Sequence, residues 1–283
     1  MIEKRIYKIV PFLFVANILI WICVYDLSQP QLLEVCFFDV GQGDSIFIET
    51  PQRYQILIDG GPDSGILEKL GEEMPFWDRS IDLLILTHPE HDHMAGLIDV
   101  LESFDVENIL WTGVLRDTPE YEEWKKKIKE EGSRVIIAQE GQYIRLGDVW
   151  FFILWPDKNL ENQRPKNTNN TSVIARLVFG KISFLFEGDA YKSVERKLLV
   201  QNKDLKTTVL KVAHHGSKTS TGEDFLKTVL PEVAVIEVGK DNHYGHPHQE
   251  TLEKLKKYGI KVLRTDQNGD IKIFSDGLNY KIK

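Results

Sequence analysis

The sequence predicts a mixed α/β fold in which two sheets pack inside outer helices. Short apolar runs that end in turn residues fill the first half of the chain, a pattern typical of strands. Strand-like and helical patterns alternate in the second half. With 42% hydrophobic and 28% charged residues over 283 positions, the chain has the composition of a globular protein that buries a full core.

The N-terminal segment has a different character. "MIEKRIYK" carries three cations, and 17 uncharged residues follow at 9–25, a length at the short end for a membrane span. A positive flank stays in the cytoplasm. We therefore interpret residues 1–27 as a single-pass signal anchor in the cytoplasmic membrane and residues 28–283 as one extracytoplasmic domain. The alternative is a signal peptide that is cleaved, which releases a secreted domain, although no small-residue cleavage site follows the apolar run.

Four strands are predicted early in the domain. The segments "LLEVCFFDV", "SIFIET" and "QILIDGG" are apolar and end in turn residues. "DLLILT", residues 82–87, is continuously hydrophobic, as is typical of a strand buried on both faces. This last strand leads directly into the most histidine-rich segment of the chain.

Helices and shorter strands follow. "MAGLIDVLESF" and "TPEYEEWKKKIKEEG" are predicted helices, the second with proline near its start and glycine at its end. Short strands are predicted at 134–138, 142–146 and 149–155, and a hairpin turns at 180–181. The remaining pattern predicts helices at 191–200, 223–229 and 248–258 and strands at 207–212, 232–238 and 261–264. No internal boundary is visible.

Charge and cysteine content limit the function. A formal net charge of −8 argues against a general nucleic-acid binder with a basic surface, so an anionic substrate needs local cations or a bound metal. Cys23 lies in the apolar run and Cys36 in a strand, so we expect no disulfide framework.

All eight histidines lie at junctions between strands and loops. Three are in "HPEHDH", residues 88–93, two in "KVAHHGSKTS", and three in "DNHYGHPHQE". Imidazole nitrogen suits zinc, and carboxylate oxygen suits harder ions such as manganese. Asp189, in "FLFEGDA", is a candidate bridging carboxylate for two adjacent ions, although an aspartate at this place is also a common helix N-cap.

Several motifs together resemble a known family. H-x-E-x-D-H at 88–93, Asp59 in "LIDGG", Gly188-Asp189 and "HHGS" at 214–217 resemble the metallo-β-lactamase superfamily. "FFDVGQGDSIFIET", "NNTSVIARL" and "GHPH" are similar to the hydrolase domain of ComEC-type competence proteins, over roughly residues 32–280. The resemblance implies a four-layer αββα sandwich with a site for two divalent ions, Zn or Mn, at the edge between the sheets.

The resemblance also implies roles for individual residues. His88 and Glu90 hold one ion, Asp92 and His93 the second, and Asp189 lies between them. His214 or His215 completes the set and the other binds or protonates the substrate; we assign His214 to the metal. The implied catalytic residues are Asp92, His215 and His246. Asp59 orients a ligand histidine from behind, in the second shell.

Two departures from the superfamily pattern matter. Glu90 replaces the usual histidine, and an alternative register uses His88, His91 and His93. The loop "NTNNTS" lacks the usual histidine, so Asn170 or its neighbour Asn169 is expected to substitute. An oxygen-rich first site favours manganese over zinc alone.

Further residues are candidates for substrate contact. His246 and His248 precede a predicted helix whose N-terminus suits an anionic group, although a plain capping loop is the alternative. Lys218 and Lys211 flank the site and are interpreted as solvent-facing lysines that add local positive charge. "GQGDS" is interpreted as a glycine-containing hairpin connection, with a role for Asp39 or Asp44 in the second shell, at the edge of the site, as the alternative.

The resemblance favours a metal-dependent hydrolase that cleaves DNA or another phosphodiester outside the membrane, linked to DNA uptake and to a separate channel protein. One alternative is a hydrolase of another ester or amide, such as a phosphocholine-type ester or a β-lactam; the loop without histidine argues against a β-lactam. A second is a non-catalytic, metal-bound adaptor of a DNA-uptake channel.

Overall fold

The computed structural model of the protein describes residues 10–21, 24, 31–201 and 203–283. Residues 10–21 are helical. In this described part of the chain, no helix combines the length and the apolar character that crossing a bilayer requires. The remainder of the predicted anchor at 1–27 lies outside the described residues. The chain divides into two compact units, Met1–Gln31 and Leu32–Lys283. The second unit contains the sheets and the candidate site.

The described part of the second unit contains strands, helices and two short 3-10 turns. In chain order the strands are β1 (Leu33–Phe37), β2 (Ile46–Glu49), β3 (Gln55–Ile58), β4 (Ser80–Ile85), β5 (Asp105–Trp111), β6 (Arg134–Ile137), β7 (Tyr143–Leu146), β8 (Val149–Trp155), β9 (Ile174–Phe179), β10 (Ile182–Phe186), β11 (Val209–Lys211), β12 (Val233–Ile236), β13 (Lys261–Arg264), β14 (Ile271–Ser275) and β15 (Tyr280–Ile282). The helices are α1 (Gly65–Glu73), α2 (His91–Ser103), α3 (Pro119–Glu131), α4 (Lys192–Val200), α5 (Glu223–Val229), α6 (Gln249–Lys257) and α7 (Thr265–Asn268), and the 3-10 turns are Asn169–Thr171 and Ala213–Gly216.

Most predicted elements are confirmed, including the two sheets. The helix predicted from its proline and glycine is α3, where the Thr118 hydroxyl accepts a hydrogen bond from the Tyr121 backbone N–H and Gly132 adopts the left-handed conformation. Among the helices and strands, α1, β5, the short helix α7 and the hairpin of β14 and β15 escaped prediction. That hairpin is held by pairing of β14 with β1, a contact between the two ends of the domain.

The two sheets combine antiparallel and parallel pairing. The first has the order β15-β14-β1-β2-β3-β4-β5-β6, and its pairs from β3 to β6 are parallel. The second has the order β13-β12-β11-β10-β9-β8-β7, and its pairs from β10 to β13 are parallel. Strands β3, β10 and β12 are buried along their whole length, as expected where both faces of a sheet are covered.

Three apolar clusters define four layers. The central cluster lies between the sheets and draws on both, for example Phe37 from β1 and Phe184 from β10. A second cluster packs α1, α2 and α3 on the first sheet, and a third packs α4, α5 and α6 on the second. Helices therefore cover the outer face of each sheet, and the loops that follow the parallel strands remain free to carry function.

Candidate metal centre

Two chain segments that follow parallel strands supply the centre of the site. The first follows β4 and leads into α2, whose first turn contains Asp92 and His93. The second follows β11 and forms the 3-10 turn with His214 and His215. Asp189 comes from the loop after β10 and completes the convergence.

Close backbone packing fixes the first turn of α2. The Gly60 N–H donates to the His93 carbonyl at 2.8 Å, and the Gly96 N–H donates to the Gly61 carbonyl at 3.1 Å. A Cβ atom at Gly96 would lie 2.0 Å from the Gly60 carbonyl oxygen. Glycine is therefore required here, because any side chain would push α2 and its metal-binding side chains away from the loop after β3.

The central side chains have buried polar atoms without hydrogen-bond partners. These atoms are Nε2 of His88, His93 and His215, and Oδ1 of Asp189. Buried polar groups in proteins are rarely left unpaired, and an ion is one of the explanations for such a group. Imidazole nitrogens together with carboxylate oxygens form a donor set that suits zinc or manganese. The residues present therefore fit divalent metal ions.

The donor atoms form overlapping groups, each within 4.8 Å. Among the described residues, one group is Asp92, His93 and His215, and another is His88, His93 and Asp189. Asp189 Oδ1 lies 3.5 Å from His93 Nε2, and Asp189 Oδ2 lies 3.8 Å from His215 Nε2. The two oxygens of Asp189 thus face different histidines, an arrangement that suits a carboxylate shared between two ions.

Contacts behind the cluster orient the imidazole rings. His93 Nδ1 donates to Asp59 Oδ2 at 2.8 Å, and Asp59 is itself held by the Thr87 N–H and hydroxyl. His215 Nδ1 donates to the Glu237 carbonyl at 2.9 Å. These contacts place the proton of each neutral imidazole on Nδ1, so a metal ion at the cluster would meet the lone pair of Nε2.

His215 is the better-placed histidine of the "HHGS" turn. It is 1% exposed, and its Nε2 lies 3.3 Å from Asp92 Oδ2. His214 is more exposed, with its Nε2 3.7 Å from Asp189 Oδ2 and its Nδ1 3.0 Å from the Thr219 hydroxyl. The geometry favours the reverse of our assignment, with His215 as the ligand. Both residues have positive φ angles, 53° for His214 and 51° for His215. This backbone conformation is energetically unfavourable for residues other than glycine, and it recurs at functional sites.

Glu90 lies outside the donor groups. Its carboxylate accepts hydrogen bonds from Arg116 Nη2, at 2.7 Å, and from the Thr168 hydroxyl. Asn170 also faces elsewhere: its side-chain oxygen accepts from the Tyr191 N–H, while Asn169 Nδ2 lies 3.4 Å from Asp189 Oδ2. The structure therefore brings Asn169, rather than Asn170, to the cluster.

A small cavity of about 160 Å³ lies at the cluster. Its lining residues are Gln42, Glu90, Asp92, Asn169, Asp189, His214, His215, Tyr244 and His246. His246 thus reaches the site. His248 does not line the cavity, and its Nδ1 accepts a hydrogen bond from the Lys218 N–H at 3.3 Å. The Lys218 residue itself is exposed. His91 is exposed and faces Glu120, away from the cluster.

Burial and neighbouring carboxylates shift the pKa values of the cluster histidines in opposite directions. Burial lowers the pKa of His88 to about 3, so this imidazole is neutral. Burial opposes charge on His215 as well, but the carboxylates of Asp189 and Asp44 outweigh it and raise the pKa of His215 to about 10. The field at this position is therefore strongly negative, as a cation site requires.

Comparison with known proteins agrees with this geometry. Residues 38–239 match the metallo-beta-lactamase superfamily. The chain belongs to this superfamily. The predicted membership is confirmed, and with it a fold that holds divalent metal ions and supports hydrolysis.

Curated relatives agree with the more specific resemblance. The chain is 36% identical over 255 residues to ComE operon protein 3 of Bacillus subtilis, covering 84% of this chain and 32% of the relative. It is 32% identical to Competence protein ComA of Neisseria gonorrhoeae, over 83% of this chain and 31% of the relative. It is 31% identical to Recombination protein 2 of Haemophilus influenzae, over 89% of this chain and 30% of the relative. The chain thus matches the ComEC-type hydrolase domain and spans about a third of the length of these relatives.

Solved structures of metallo-beta-lactamase proteins share the fold. YhfI from Bacillus subtilis superimposes with a TM-score of 0.56 at 14% identity, over 84% of this chain and 98% of that one. Igni18, a metallo hydrolase from Ignicoccus hospitalis, superimposes with a TM-score of 0.55 at 15% identity, over the same shares. At these identities the likeness concerns the fold alone.

Sequence reasoning missed a buried ion pair behind this metallo-beta-lactamase site. Lys211 is 1% exposed and is paired with Asp44, whose Oδ1 lies 3.3 Å from His215 Nδ1. Our interpretation of Lys211 as solvent-facing is therefore wrong. A signal was present: the lysine interrupts an apolar strand, "VLKVA", and such a position has no route to solvent. Asp44 lies in the connection between β1 and β2, which we interpreted as a turn with a role for Asp44 in the second shell as the alternative; its contact with His215 favours that alternative.

Proposed function

We propose that this protein is a two-metal phosphodiesterase that cleaves DNA. The observation that carries the proposal is the cluster of unpaired, buried donor atoms of His88, His93, Asp189 and His215 at the edge of a superfamily fold that holds divalent ions. One ion is proposed at Asp92, His93 and His215, and one at His88 and Asp189, with Asp189 shared. Zinc and manganese are the candidate ions.

The roles of the chain's own residues follow from their positions. Bound divalent ions supply an activated water and stabilise the attacking and leaving oxygens of a displacement at phosphorus. Asp59 and the Glu237 carbonyl hold the imidazoles of His93 and His215 in the tautomer that binds metal. His246, on the cavity wall with its Nδ1 buried and unpaired, is proposed to hydrogen bond to a phosphate oxygen and orient it.

Support for DNA as the substrate comes from two sources. One relative is named a competence protein, another is named as a protein of the ComE operon, and a third is named for recombination. The cavity of about 160 Å³ is smaller than typical small-molecule pockets of roughly 300–1,000 Å³. It suits a single phosphate group of a longer substrate that lies across the opening.

We also propose that residues 1–27 anchor the domain to the outer side of the cytoplasmic membrane, next to a separate DNA-uptake channel. The uncharged run at 9–25 and the competence relatives support this part. The test is alkaline extraction of membranes together with protease digestion of intact cells. Retention in the membrane pellet with digestion from outside is expected, and complete release by alkali would contradict the anchor.

Cleavage assays test the proposed activity. The metal-stripped protein is given manganese or zinc and incubated with labelled single- and double-stranded DNA. Asp92→Ala and Asp189→Ala are compared with Asp224→Ala, a matched control whose side chain is 84% exposed. Metal-dependent cleavage is expected for wild type and control, and the two cluster variants should fall to the metal-free background.

The other outcomes identify the rivals. No DNA cleavage despite bound ions would refute the nuclease. Hydrolysis of a nitrophenyl phosphocholine ester or of a chromogenic β-lactam would then assign another ester or amide substrate. Tight metal binding with no hydrolysis of any of these substrates would point to a non-catalytic adaptor.

A further inference from the structure

The small size of the metal-site cavity places most of any substrate outside it. About 160 Å³ accommodates a group of phosphate size, whereas ligands of drug size occupy several times that volume. The residues at the mouth of the cavity therefore meet whatever is covalently attached to the reacting phosphate. Their chemistry determines which phosphodiesters are bound well.

Tyr244 is the exposed aromatic side chain at this mouth. It lines the cavity together with Asp189 and His215, yet it is 68% exposed. Single exposed aromatic residues are common and need no explanation by themselves. Tyr244 differs from other exposed aromatic residues in its position. Its ring forms part of the wall of the metal-site cavity and extends that wall into solvent.

The ring of Tyr244 is held in place rather than free to swing. It stacks on the His246 ring with centroids 5.7 Å apart and planes 19° from parallel. Asn242 holds the loop that carries both rings: its Nδ2 donates to the carbonyls of Gly239 and His246, and its Oδ1 accepts from the His246 N–H. A flat, supported ring of this kind binds with little loss of conformational freedom.

We propose that the Tyr244–His246 stack is a platform for a nucleobase next to the phosphate in the cavity. A base presents its face only when it is unpaired, so the preferred substrate is single-stranded DNA or an unpaired strand end. Stacking tolerates every base, so no sequence preference is expected. The inference rests on the proposed function and specifies the form of its substrate.

The test compares strands with and without bases. Substrates are a labelled single-stranded oligonucleotide and a strand of equal length built from abasic residues. Tyr244→Ala should lower the selectivity for the base-bearing strand, as the ratio of kcat/KM values, by about 5- to 150-fold, mainly through KM, because stacking contributes roughly 1–3 kcal/mol per base. Tyr244→Phe should retain the selectivity. Tyr143→Ala is the matched control, since Tyr143 is 64% exposed on β7 and does not line the cavity.

An affinity measurement tests the proposed platform separately from the proposed nuclease activity. Fluorescence anisotropy on the metal-loaded wild type and Tyr244 variants, with phosphorothioate-linked strands that resist cleavage, gives affinities for both strands without turnover. A 5- to 150-fold weaker Kd for the base-bearing strand in Tyr244→Ala supports the platform even if no DNA is cleaved. Equal affinities with and without Tyr244, or loss of selectivity in Tyr244→Phe, overturn the platform even if DNA is cleaved.

Discussion

Replacement of Lys211 by methionine probes the ion pair behind the metal centre. Lys211 is 1% exposed and Asp44 is 2% exposed, and the side chain of Lys211 contacts the Asp44 carboxylate directly. Burial works against the charge on Lys211, but Asp44 and Glu237 raise its pKa, so the lysine is a cation inside the protein. Methionine has a similar length without the charge, so Lys211→Met leaves buried carboxylates without their cation.

The expected loss is large relative to the stability of a domain. Removing one partner of a buried ion pair costs about 3–5 kcal/mol, because the remaining charge is buried and uncompensated. The total free energy of unfolding of a domain is about 5–15 kcal/mol. Lys211→Met should therefore lower the free energy of unfolding by a substantial part of its total. Lys240→Met, at an exposed lysine, should change the free energy of unfolding by less than about 0.5 kcal/mol.

Urea denaturation with a double-mutant cycle measures the effect. In the double variant Lys211→Met with Asp44→Asn, no uncompensated Asp44 charge remains, so the loss should be smaller than the sum of the two single losses by about 0.5–3 kcal/mol. A loss below about 1 kcal/mol for Lys211→Met, or strict additivity in the cycle, would refute the assignment of a buried, charged pair.

Three further predictions concern other parts of the fold. Asp59→Asn should weaken metal affinity about 10- to 100-fold in a competition assay with a chromogenic chelator, since Asp59 orients His93; unchanged affinity would contradict that role. Thr118→Ala should lower the free energy of unfolding by about 1 kcal/mol through loss of the α3 N-cap, whereas no change in urea midpoint would show that the cap contributes nothing. In a Cys23→Ser protein, Cys36 should resist a thiol reagent until the protein unfolds, because burial raises the pKa of its thiol; rapid labelling of the native protein would count against this.

Local patterns predicted much of this molecule because they report local structure. The apolar run of residues 82–87 predicted a buried strand that presents histidines at its end, and β4 does so. Proline and glycine predicted both ends of α3 because each determines the local backbone conformation: Pro119 favours the first helical turn, and Gly132 adopts the left-handed conformation after the last. Loops that carry histidine or aspartate were predicted to converge and they do so, whereas the side chains of Glu90 and Asn170 make hydrogen bonds outside the cluster.

The details that escaped prediction depend on contacts distant in sequence. Asp44 and Lys211 are 167 residues apart, and no pattern links them before the sheets pack together. Glu90 meets Thr168 across 78 residues, a contact that sequence spacing does not reveal. His214 and His215 are adjacent, and sequence does not reveal the positive φ angles, uncommon for residues other than glycine, that place His215 in the cluster.

The most direct test of the central claim measures bound metal and DNA cleavage on the same sample. Elemental mass spectrometry gives the number of manganese or zinc ions retained by wild type, His215→Ala and the control Asp224→Ala, and each sample is then assayed on labelled single-stranded DNA. The account predicts two ions and cleavage in wild type and control, with loss of an ion and of cleavage in His215→Ala. Retention of both ions by His215→Ala, or cleavage that persists after all metal is removed, would contradict it.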